Sequence, residues 1–251
     1  RSATFAVNGR SFTVTYEAAF RRWTMTSPEG RQRRVETDSL GRPISMQMGN
    51  LLPVSFSYDA RGRLDTILQG TGADERLVHF GYDPLGRLET VTDPLQRQVS
   101  FAYDDANRVE VQSLPGSRDV LFGWDDKGNL ASLTPPGRPA HGFSYTPVDR
   151  TDLYSPPPLG PGSSSTDYDY ALDRKPLRIT RPDGLEIGFG YDVARRLETI
   201  TSPRGATEID YDPATGHVTS LTTPEGNALT YEMDGPLLTR TTWTGEVAGS
   251  V

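Results

Sequence analysis

Seven aspartates recur along the chain at near-constant intervals: Asp38, Asp59, Asp83, Asp104, Asp125, Asp192 and Asp212. Carboxylates at fixed spacing can ligate calcium, and Asp125–Asp126 and the Asp167/Asp169 pair are the densest places to look. A calcium loop, however, gathers several oxygens within about a dozen residues, whereas here each interval contributes one acid. A second column, Arg42, Arg63, Arg87, Arg108, Arg150 and Arg196, follows about four positions behind. Guanidinium groups match carboxylates and sulfates, so this stripe could bind an anion or a sugar. The neighbouring acids neutralise it, which favours exposed Asp–Arg pairing within and between adjacent hairpins. The only histidines are His79, His141 and His217, each inside the recurring pattern and none beside a serine and an acid in an inserted segment. No carboxylate pair escapes that pattern to serve glycoside hydrolysis. The residues therefore predict no catalytic site, no cofactor and no metal.

The elements that carry these columns are set by an aromatic immediately before the acid. Tyr58-Asp59, Tyr82-Asp83, Tyr103-Asp104, Trp124-Asp125, Tyr191-Asp192 and Tyr211-Asp212 fall into register with Tyr16, Thr37, Tyr145, Tyr170 and Tyr231. Nine of the eleven tyrosines occupy this column; Tyr154 and Tyr168 do not. A short alternating run precedes each, as in Phe56-Ser57-Tyr58 or Phe80-Gly81-Tyr82, which places both aromatics on one face of a strand. The acid then opens a turn. Asp can hydrogen-bond the backbone two residues on, and Gly62, Gly86 or Gly128 at the fourth position accepts the left-handed conformation of a type I turn with a bulge. Asn107 takes that place in one unit, and Arg195, a residue turn chemistry would not choose, in another. A return strand such as Arg63-Leu64-Asp65-Thr66-Ile67 follows, and Pro-x-Gly turns such as Pro182-Asp183-Gly184 close the unit.

The reading is an all-β protein of tandem antiparallel hairpins: one array over 1–251 of about eleven units of 20–21 residues, with an enlarged loop at 151–166 whose tip is poorly ordered. Its outer strands are expected near Ser11–Tyr16 and Leu229–Met233, where unpaired edges would recruit other chains. Both ends read as cuts through a longer protein. The 25 glycines and 20 prolines suit many turns. A net charge of −7 with interspersed signs argues against nucleic acid, and no apolar run is long enough to insert in a membrane. Without cysteine, disulfides and thiolate chemistry are excluded.

Tyr58-Asp59-Ala60-Arg61-Gly62-Arg63-Leu64 and Tyr82-Asp83-Pro84-Leu85-Gly86-Arg87-Leu88 resemble the YD repeats of bacterial Rhs proteins, teneurins and the C subunits of insecticidal toxin complexes. The resemblance covers essentially the whole chain. It implies a β-sheet strip that spirals into a hollow shell, enclosing a C-terminal toxic effector in Rhs and toxin-complex members and forming an extracellular scaffold in teneurins. Nothing here resembles the Rhs core that plugs the shell and self-cleaves. The resemblance thus implies a structural segment of a secreted or cell-surface protein. Its partners would be flanking repeats and domains of the parent chain, with an enclosed toxin or a cell-surface glycan or protein. The alternative is a module that binds carbohydrate or a cell-surface partner through its aromatic and Arg ladders.

Overall fold

The computed structural model describes residues 1–158, 160 and 164–251. Their regular structure is strand apart from one 3-10 turn, Gly72–Asp74, and no helix is long and apolar enough to cross a membrane. The chain forms two compact units, Arg1–Leu121 and Phe122–Val251.

The first unit opens with β1 (Ser2–Val7), β2 (Arg10–Glu17), β3 (Arg22–Thr26), β4 (Gln32–Thr37), β5 (Pro43–Met48) and β6 (Val54–Tyr58). It continues with β7 (Leu64–Gln69), β8 (Arg76–Tyr82), β9 (Leu88–Thr92), β10 (Gln98–Tyr103), β11 (Val109–Leu114) and the start of β12 (Arg118–Trp124). Each strand pairs antiparallel with its sequence neighbour. The second unit runs through β13 (Leu130–Thr134), β14 (His141–Tyr145), β15 (Thr151–Ser155), β16 (Thr166–Tyr170), β17 (Pro176–Thr180) and β18 (Glu186–Tyr191). It ends with β19 (Leu197–Ser202), β20 (Gly205–Tyr211), β21 (Val218–Thr222), β22 (Ala228–Asp234), β23 (Leu237–Thr244) and β24 (Gly249–Ser250), in the same meander.

The hairpins have the geometry their turn residues dictate. Asp59 N–H donates to the Arg63 carbonyl (2.8 Å) and Gly62 N–H to the Asp59 carbonyl (2.9 Å). Gly62 has φ 83°, and the register slips by one between Ser57 and Tyr58, as a type I turn closed by a glycine bulge requires. The same slip precedes Tyr82, Tyr103, Tyr145, Tyr170, Tyr191 and Tyr211.

Period-two alternation gives the sheet two unlike faces. In the second unit Ile209–Leu221–Leu229–Trp243 forms an apolar cross-strand row; in the first, one face carries rows such as Phe56–Ile67–Val78 and Phe80–Val91–Val99. The other carries Ser57–Thr66–His79–Thr92–Gln98. Among the described residues none is buried, apolar or polar. Among the described residues neither unit has a closed core; both are held by strand ladders and by half-buried apolar rows.

Two expectations need correction. Ser11–Tyr16 and Leu229–Met233 are interior strands, because each is followed outward by another. Asn8 and Gly9 (φ 50° and 71°) make a tight turn that folds β1 onto β2, stacking Phe5 on Phe12 at 5.3 Å. At the other end β23 and β24 lie beyond β22. The enlarged loop is also shorter than 151–166: Thr151–Ser155 is β15, the return strand of the Tyr145 hairpin, paired as Phe143–Tyr154. The expected disorder of its tip concerns residues 159 and 161–163, which lie outside the described residues.

Candidate functional site: the Tyr–Asp–Arg seam

The repeated residues form a seam that runs from hairpin to hairpin. At each turn the aspartate carboxylate is filled from both sides. Asp59 Oδ1 accepts the N–H groups of Arg61 and Arg63, both at 2.9 Å. Asp59 Oδ2 accepts Arg63 Nε at 2.8 Å and Nη2 at 2.7 Å. Asp38/Arg42, Asp83/Arg87, Asp104/Arg108 and Asp192/Arg196 repeat the fork. The planar guanidinium, fixed by its carboxylate, then lies across a tyrosine of the next hairpin: Arg42 over Tyr58 at 4.3 Å, Arg63 over Tyr82 at 4.2 Å, Arg87 over Tyr103 at 4.4 Å and Arg196 over Tyr211 at 4.3 Å. That tyrosine's hydroxyl donates back to the carbonyl after the arginine. Tyr82 reaches Leu64 (2.7 Å), Tyr103 reaches Leu88 (2.6 Å) and Tyr211 reaches Leu197 (2.7 Å). The fork's ion pair thus stays within its hairpin, and the stacked ring with its hydroxyl bond reaches the next one. Lys127–Asp149 (3.5 Å) and Arg195–Asp173 (3.6 Å) pair between neighbouring hairpins, and Arg87 Nη1 also donates to Asn107 Oδ1 (2.7 Å).

Electrostatics follow the geometry. The Arg63 N–H, partly offset by desolvation and reinforced by its guanidinium, holds Asp59 below the usual carboxylate range. Asp83, with 11% of its side chain exposed, is pushed up by desolvation, but the Arg87 side chain and N–H outweigh this and the net shift is downward. Partial desolvation in the seam, reinforced by Asp125 and Asp173 respectively, raises the phenols of Tyr145 and Tyr191. Such shifts stabilise charged acids and neutral phenols in place; they do not poise a proton near neutrality.

Gly41, Gly62, Gly86, Gly128, Gly235 and Asn107 all have positive φ, as does Arg195 at 63°. Trp124 ends β12 in the aromatic column, and the adjoining turn has the common form, with Gly128 N–H on the Asp125 carbonyl at 3.0 Å. Where the arginine is replaced, the seam adapts. Asn129 donates to Asp125 and Asp149, both at 3.1 Å. Lys175 lies 4.9 Å over Tyr191, whose hydroxyl bonds Pro176. The Asp212 turn is one residue longer, closing on His217 with its carboxylate on Ala214 and Thr215. Sequence reasoning missed two features, one in the seam and one outside it. The tyrosine hydroxyl bond leaves no trace in residue types. Asp93-Pro94-Leu95-Gln96-Arg97, by contrast, has the same spacing and makes the same fork, with Arg97 Nε 2.6 Å from Asp93, but it sits in the opposite row of turns.

The histidines are dispersed. His79 lies 3.4 Å from Asp65, and Ser57 bonds that carboxylate and Thr66 instead of the imidazole. His141 Nδ1 is 2.7 Å from the Tyr154 hydroxyl. No three His, Asp or Glu side chains converge as a metal site among the described residues.

Hairpins joined by a repeated seam, with no buried residue among those described, define a β-sheet repeat protein. The chain belongs to the teneurin YD-shell family, whose pattern it matches over residues 2–250. No curated protein matches it in sequence. Among solved structures it is similar to TcdB2-TccC3, at 11% identity over 96% of this chain with a TM-score of 0.59. It is also similar to TcdB2-TccC3-Cdc42, at 12% identity over 98% with a TM-score of 0.58. A Photorhabdus luminescens Tc holotoxin pore matches at 12% identity over 96% with a TM-score of 0.59. The chain spans 18% of the length of each of those chains.

Proposed function

We propose that this chain is a non-enzymatic wall segment of a shell that encloses a protein effector, within a secreted or surface-exposed parent. The observation that carries this reading is the apolar face: aromatic and aliphatic rows run along each unit, yet no described residue is buried beneath a second layer. A globular enzyme would cover those rows and converge its polar groups on a cleft. Here the repeated polar groups are engaged with one another instead. The family and the toxin-complex structures with which the fold is shared support a shell. Flanking repeats and domains of the parent are its natural partners, and the chain needs no cofactor for this role.

The test is limited proteolysis of the parent polypeptide. Its effector segment should resist protease while the seam is intact and become cleavable when Arg63→Ala and Arg87→Ala are combined. Equal cleavage in both proteins would remove the enclosing role. An esterase and glycosidase screen addresses the non-enzymatic half: saturable hydrolysis lost on His79→Ala, His141→Ala or His217→Ala would overturn it.

A further inference from the structure

The seam arginines are committed, but a second group of arginines is not. Between residues 10 and 37 the chain holds six arginines against three glutamates and no other charge, in a protein of net charge −7. All three glutamates are taken: Glu17 and Glu36 by Arg22 (3.8 and 2.8 Å) and Glu29 by Arg10 (3.7 Å). Among the described residues no carboxylate comes within ion-pair distance of Arg31, Arg33 or Arg34. Alternation along β4 divides them. Arg33 shares a face with Met25 and Met48, and Arg34 shares the opposite face with Thr24 and Gln47.

On the Arg34 side the β3–β4 and β5–β6 turns frame an open concavity of about 540 Å³, within the size range of small-ligand sites. Arg31, Gln32, Arg34, Gln47 and Asn50 line it, with Glu29 as its one carboxylate. Glu29 is already occupied by the Ser27 hydroxyl at 3.1 Å and by Arg10. The walls are fixed from below: Gly49 N–H bonds the Gln32 carbonyl at 2.7 Å and Gln47 Nε2 bonds the Leu51 carbonyl at 3.0 Å. Gln32 Oε1 receives Arg34 Nη2 at 2.6 Å, which orders that guanidinium without neutralising it.

We infer that this concavity is a binding site for an acidic glycan, a sugar chain carrying sulfate or carboxylate groups. Two guanidiniums with no described carboxylate at ion-pair distance supply bidentate donors for the acid groups. Three carboxamides match sugar hydroxyls, Gln32 keeping its donors, Gln47 its acceptor and Asn50 adding a third amide. An acidic peptide would meet the cations too, and its backbone the amides, so the titration below sets the sugar against a peptide of matched charge. The site is separate from the seam and does not depend on the enclosing role proposed above.

The measurement is calorimetric titration of the whole chain at low and at physiological salt. The probes are a sulfated heparin hexasaccharide, its desulfated counterpart and a polyglutamate peptide of matched charge. Binding of the sulfated sugar should weaken about tenfold or more, at least 1.4 kcal/mol, when Arg31→Ala and Arg34→Ala are combined. Arg33→Ala, on the other face, should leave it within about twofold, below 0.5 kcal/mol. Should the alanine pair fold poorly, Arg31→Gln with Arg34→Gln gives the same reading. Retained binding in those variants would overturn the site, and equal loss with Arg33→Ala would reduce it to a diffuse field. Equal affinity for the desulfated sugar or for polyglutamate would overturn the acidic glycan as its ligand.

Discussion

Arg63 bridges two hairpins: its Nε and Nη2 hold Asp59, and its plane covers Tyr82, whose hydroxyl returns to Leu64. Tyr82→Phe removes only that last bond and should cost about 0.5–1.5 kcal/mol in chemical denaturation. Arg63→Ala removes both contacts and should lower the melting temperature further. Arg63→Lys should fall between the two, since Lys175 serves as a natural rung over Tyr191. The seam also sets a pH dependence. Asp59, Asp83, Asp104 and Asp192 lie lower in the folded chain than the unfolded value of about 3.9. Their contribution is complete above that pH and is lost as pH falls toward the folded values. Thermal melts should therefore be flat through neutrality and drop below about pH 4, with a shallower drop in Asp59→Asn. The Asp and Arg columns were legible from spacing because a turn fixes which side chains meet four residues apart. The ring stack and hydroxyl bond were not, since they join residues 14 to 19 apart through the register of separate hairpins.

Glycines on the strands and in the turns act by different means. Gly86 sits at φ 92°, so Gly86→Val should destabilise through backbone strain, by about 1–3 kcal/mol. Gly81 has ordinary strand geometry, but a β-carbon there would overlap the Thr90 hydroxyl across the β8–β9 pair. Gly81→Ala should cost about 1–3 kcal/mol as overpacking, and adding Thr90→Ala should recover most of it. A double-mutant cycle showing no coupling would contradict that origin. Turn glycines are readable from a sequence because a positive φ has a short list of acceptable residues. Gly81 is not, because its constraint lies on a neighbouring strand. The same blindness explains β1: the strand is unremarkable by composition, and only Asn8-Gly9, read as a hairpin turn, would have placed it.

With no buried residue among those described, each unit's stability is distributed along its strand pairs, as in other linear repeats. Disturbance should therefore stay local. Hydrogen exchange on Tyr82→Phe should accelerate in β7, β8 and β9 while β19, β20 and β21 keep wild-type protection. A uniform loss of protection would show a cooperativity that this architecture does not supply. The all-β class and the period were legible across the molecule because every unit repeats the same local grammar. The openness of the sheet was not, because 35% apolar residues suit a poorly packed globule and a solvated wall equally well.

Each joint in the seam straddles a repeat boundary: the cation comes from one copy and the ring from the next. A joint therefore survives any gain or loss of whole copies, because whichever tyrosine arrives next finds the same partner waiting. Recombination between the repeats of a gene could lengthen or shorten such an array without inventing a new contact. Excising residues 83–103, one period from Asp83 to Tyr103, would bring Tyr82 directly before Asp104. Excising 83–92 alone would leave the following strand running the wrong way. The first protein should express and fold and the second should not, so array length is open to selection in whole-repeat steps.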